Sequence, residues 1–80
     1  MQSYRLEFVI RDPGASACTV RQQLRKSLNW SRDLLVVGDG SLLTVQVRTA
    51  RPDVALGIGW QCGAVDDIVL TADATASLVA

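Results

Sequence analysis

The stretch "RPDVALGIGWQCG", Arg51 to Gly63, decides how this chain folds. Read with a period of two, Val54, Leu56, Ile58 and Trp60 share one face, and Ala55, Gly57, Gly59 and Gln61 share the other. That alternation runs unbroken over seven residues and predicts a strand. Arg51-Pro52-Asp53 would then form a type I turn with proline at its second position. Read as a helix opening at Pro52, the same residues put two glycines in a helix interior. Those cost about 2 kcal/mol against alanine, and the helix would be apolar on nearly every side. The strand is the preferred reading, with the helix kept as the alternative.

Working outward, "YRLEFVI" at 4–10 alternates cleanly and predicts a half-buried strand, with Tyr4, Leu6, Phe8 and Ile10 inward. Asp12-Pro13-Gly14 ends it. Ser16 is placed to cap a helix. Ala17, Val20, Leu24 and Leu28 follow at spacings of three and four and form one apolar stripe. Asn29 would terminate the helix, and Trp30 would fold back onto the core. Asp39-Gly40 between two apolar arms is a type I′ hairpin signature. Its first arm, Leu34 to Val37, is apolar on both faces and reads as a central strand. Its second arm sends Leu43, Val45 and Val47 inward and Thr44, Gln46 and Arg48 outward. "DDIVLTA" is a strand in either case.

The expected fold is therefore α+β: a single small domain over residues 1–80, one helix packed on an antiparallel sheet, in the order β-α-β-β-β-β. The alternative, with 52–63 helical, is the ferredoxin-like order β-α-β-β-α-β. In the helical case the order resembles ACT-type regulatory domains, and in the strand case it is similar to the cystatin-type helix on a curved sheet. Neither likeness rests on a motif, so neither lends residues or function.

Composition bounds the function. Nearly half of the 80 residues are apolar and 20% are charged, which is globular. The chain is neutral overall. Residues 1–51 nevertheless carry a net +4, and residues 52–80, which have no Lys or Arg, carry −4. The expectation is that the two halves mix their charges over one surface. No apolar run reaches membrane-spanning length. The charged N-terminal strand is not a signal peptide, so a cytoplasmic protein is expected.

No histidine is present, and the two cysteines, Cys18 and Cys62, are 44 positions apart. Neither a disulfide framework nor a zinc site follows from that. Cys18 is the candidate reactive thiol. It would sit at the second helical position, near the positive end of the helix dipole, with Arg21 one turn on. A general base is lacking, so a small apolar filler is the preferred reading. Asp66 and Asp67 would point to opposite faces of a strand and share no substrate. The glycines of the opening stretch precede neither a lysine nor a helix, as a phosphate loop requires. Arg21, Arg25, Lys26 and Arg32 around Trp30 would suit nucleic acid, but the neutral chain argues against it.

What remains is the uncovered side of the sheet, expected to show Leu42, Thr44, Gln46, Arg48, Gly57 and Gly59. The favoured reading is a non-catalytic binding or interaction module, homodimeric through that face. The partner would be a second copy or another protein, with a small-molecule ligand as a further option, and no cofactor is implied. A thiol-dependent redox sensor or enzyme using Cys18 is the alternative, and weak nucleic-acid binding through the basic helix is the second alternative.

Overall fold

The computed structural model describes residues 3–28 and 33–72. Six elements follow in order: β1 (Tyr4–Arg11), α1 (Ala17–Leu28), β2 (Leu35–Gly38), β3 (Leu42–Thr49), α2 (Pro52–Cys62) and β4 (Ala64–Ala72). The strands form one antiparallel sheet in the order β2-β3-β1-β4. Both helices pack on one side of it. The class is α+β, and the β-α-β-β-α-β order is the ferredoxin-like one.

The strand expected over the opening stretch is thus corrected to a helix. The buried residues there are Ala55, Ile58, Gly59 and Cys62, at spacings of three, one and three. This is a helical stripe built from small residues. Gly59 explains why it is viable. A Cβ on Gly59 would lie 2.7 Å from the Phe8 ring and 3.1 Å from a Val65 methyl. The missing side chain lets α2 settle onto β1 and β4, and the burial gained offsets the low helix propensity of glycine. Pro52 is no turn residue; it opens α2, where its missing N–H costs nothing. At the other end, the Gly63 N–H donates to the Gly59 carbonyl (3.1 Å), closing the last turn.

β1 meets the expected pattern, with Leu6, Phe8 and Ile10 fully buried. β3 does too, with Leu43, Val45 and Val47 inward. On α1, Val20, Leu24 and Leu28 make the buried stripe. Its cap is Ser16: the Thr19 N–H donates to Ser16 Oγ (3.2 Å) and the Val20 N–H to the Ser16 carbonyl (3.0 Å). Asn29, Trp30 and Arg32 lie outside the described residues.

The hairpin between β2 and β3 forms where expected, but not as a type I′ turn. Gly38 and Leu43 are its last paired residues. Only Gly38 has positive φ there, at 137°, whereas a type I′ turn needs positive φ at both central residues. The Asp39 carboxylate instead accepts from the Ser41 N–H (2.9 Å), the Ser41 hydroxyl (2.8 Å) and the Leu42 N–H (3.3 Å). A short polar side chain thereby organises a longer loop. β2 is an edge strand, not a central one, and its apolar Leu35 and Val37 are half exposed.

Candidate functional site

Cross-strand partners share a face, so the registers map the open side of the sheet residue by residue. One row is Val37, Thr44, Val9 and Asp66. The next is Leu35, Gln46, Glu7 and Val69. Flanking these, Leu42, Arg11 and Ala64 make the hairpin-end row, and Arg48, Arg5 and Thr71 the opposite row. Four of the expected surface residues, Leu42, Thr44, Gln46 and Arg48, are therefore brought together on this face.

Gly57 and Gly59 are not, which corrects their assignment. Both belong to α2 in the other layer. Gly59 is buried against Phe8, and Gly57 looks into open space with nothing within 4 Å of a built Cβ. Trp60, which the strand reading puts on the face opposite Gly57 and Gly59 and so toward the core, is 59% exposed on α2. The strand pattern had set it beside Ile58, but in a helix the two lie about 200° apart.

The face is apolar at its β2 side. Leu35 (48% exposed), Val37 (47%) and Leu42 (38%) surround Thr44 beside half-buried Val9. Away from that side it carries charge: Arg5, Glu7 and Arg11 on β1, Arg48 on β3 and Asp66 on β4. The Arg11 guanidinium bonds Asp66 at 3.0 Å, and Arg48 meets Asp33 at 3.5 Å. The Asp66 carboxyl is held below the usual range, first by the Asp67 N–H and then by Arg11. On α2 the Arg51–Asp53 pair does the same for Asp53. Arg11–Asp66 links the basic segment to the acidic one between β1 and β4.

Asp66 and Asp67 occupy a bulge, which the sequence reading did not include. Between Glu7↔Val69 and Val9↔Asp66, β4 has one residue more than β1. Asp67 takes φ +53° to absorb it, and its N–H donates to Asp66 Oδ1 at 2.9 Å. Bulges at sheet edges re-aim side chains in this way.

The two thiols differ. Cys18 is exposed at the second position of α1, as the Ser16 cap requires. Cys62 is buried, with its thiol donating to Gln23 Oε1 at 3.7 Å, and burial pushes its pKa up. Arg21, Arg25 and Lys26 lie exposed along α1. Among the described residues, no group of three or more Cys, Asp or Glu is placed to hold a metal ion, and no helix is long and apolar enough to cross a membrane. Comparison of the chain with protein-family models, curated proteins and solved structures gave no match.

Proposed function

We propose that this protein is a non-catalytic interaction module that self-associates through the open face of its sheet. The observation that carries this reading is the cluster of Leu35, Val37 and Leu42 around Thr44 and Val9. Three large apolar side chains are half exposed together at the β2 side of the face, bordered by polar and charged groups, Glu7 on β1 among them. An apolar patch bordered by polar groups is the anatomy of a protein interface. A two-fold axis through this cluster brings the same side chains of two copies together, as an isologous contact requires.

Native mass spectrometry and sedimentation velocity, run from micromolar to submillimolar protein, test the reading. The wild type is expected to associate, and Val37→Lys to hold fewer chains per assembly at equal concentration. Val37 is half exposed in the single chain, so its lysine variant should keep the wild-type circular dichroism and melting temperature when dilute. A wild-type chain that stays monomeric across the whole range overturns the proposal. So does an assembly whose number of chains Val37→Lys leaves unchanged.

A further inference from the structure

Among the described residues, β4 is nine residues long and pairs only with β1, which leaves its other edge without a neighbour in the sheet. Long edges are usually blunted by lysine, proline or a cover, because their unpaired backbone groups invite another strand. Here the bulge at Asp66-Asp67 protects only the first third. From Ile68 to Ala72 the strand has no charge and no proline, and Ile68, Val69 and Leu70 are each about half exposed. Leu70 pairs with Leu6 and so faces the helix side, as does Ile68 two residues earlier, while Val69 pairs with Glu7 on the open face.

We infer that β4 pairs antiparallel with β4 of a second copy, with Val69 on the two-fold axis, making one continuous eight-stranded sheet. The sequence of the edge fits itself in this register. Val69 meets Val69 on the open face, and Ile68 meets Leu70 of the other copy on the helix side, twice by symmetry. Asp67 falls opposite Thr71, and the bulge ends the regular pairing there, so no carboxylate in the paired stretch faces another carboxylate or a large apolar side chain. Moving the axis to Ile68 sets Asp67 against Val69. Moving it to Leu70 leaves Ile68 against Ala72. Antiparallel pairs of like character are the unit of sheet stability, so the Val69 register is the one the edge supports. The axis is normal to the sheet and leaves the open face free. The edge contact is therefore separate from the face contact proposed above.

The test uses charge exchange at the pair the register defines, measured by sedimentation equilibrium in the Val37→Lys background, where face association is removed. Ile68→Lys/Leu70→Lys sets lysine against lysine across the axis twice and should weaken dimerisation about tenfold or more. Ile68→Lys/Leu70→Glu sets lysine against glutamate at the same two places and should restore it. Both residues are half exposed in the single chain, and equal melting temperatures of the dilute variants confirm that each folds. In the parent, amide exchange along 68–72 should slow as concentration rises. A parent that stays monomeric at submillimolar concentration overturns the edge proposal while leaving the face proposal standing. A Lys/Glu variant no better than Lys/Lys overturns this register.

Discussion

Gly57 and Gly59 are two residues apart, and replacing each with alanine should have opposite effects. Both lie inside α2, so each substitution gains about 0.8–1.0 kcal/mol of helix propensity. At Gly57 nothing opposes the gain, because a new Cβ meets no atom within 4 Å. Gly57→Ala should raise stability by about 1 kcal/mol, or roughly 4–8 °C in melting temperature for a domain of this size. At Gly59 the Cβ would come within 2.7 Å of the Phe8 ring and 3.1 Å of Val65. Phe8 is 1% exposed, at the centre of the core, and has little room to withdraw. Overpacking of this kind costs about 1–3 kcal/mol. Gly59→Ala should therefore range from neutral to about 2 kcal/mol less stable, and should fall about 1–3 kcal/mol below Gly57→Ala. Urea unfolding of the two variants measures this difference directly. Trimming the ring should relieve the clash, so Gly59→Ala should cost less in a Phe8→Leu background than in the wild type. If Gly59→Ala stabilises as much as Gly57→Ala, α2 does not pack on β1 through this glycine, and the account of why the segment is helical fails.

Two further outcomes follow from the titratable groups. The Asp39 carboxyl is held below its usual range, first by the Ser41 N–H, then by the Ser41 hydroxyl and the Leu42 N–H. Its contribution is present above the unfolded-state value of about 3.9 and is lost as pH falls through the lower folded value. Asp39→Asn should be less stable than the wild type at neutral pH, with a gap that narrows as pH drops below about 4; a gap constant with pH in urea titrations would refute this. For the thiols, native alkylation followed by peptide mass mapping should label Cys18 and spare Cys62, which is buried and held in its protonated form. Equal labelling would contradict the packing of α2, and a Cys18 that reacts far faster than the same thiol in the denatured chain would favour a thiol-dependent function.

Much of this fold was legible because single residues carried unambiguous periods. Leu6, Phe8 and Ile10, and again Leu43, Val45 and Val47, repeat every two positions. Val20, Leu24 and Leu28 repeat every four, behind a serine cap. These patterns also identified Leu42, Thr44, Gln46 and Arg48 as a shared outward face. The misreading of α2 has a specific cause. Its buried stripe is Ala55, Ile58, Gly59 and Cys62, in which small residues replace the bulk that hydropathy patterns detect. The larger Val54, Leu56 and Trp60 lie outside that stripe and mimic a strand. Small residues are selected by how closely two elements approach, which depends on a partner distant in sequence, here Phe8. The edge position of β2 was hidden for a related reason: an apolar arm reads as central unless something shows that its outer side has no neighbour. The bulge at Asp67 has no sequence signature beyond an aspartate's tolerance of positive φ.

The position of β1 also has a consequence for the order in which the chain can fold. β1 is a central strand whose neighbours are β3 and β4, with Tyr4 paired to both Thr49 and Ala72. During synthesis it emerges before either partner and must wait for both. At typical elongation rates the interval before β4 follows is on the order of 3–10 s. Throughout it, Leu6, Phe8 and Ile10 have no complete sheet to join. Arg5, Glu7 and Arg11, interleaved with them along the strand, place charges where a stray strand would otherwise pair. The same alternation that gives the sheet a wet face thus guards the nascent chain, and these three charges have work to do before the native structure exists.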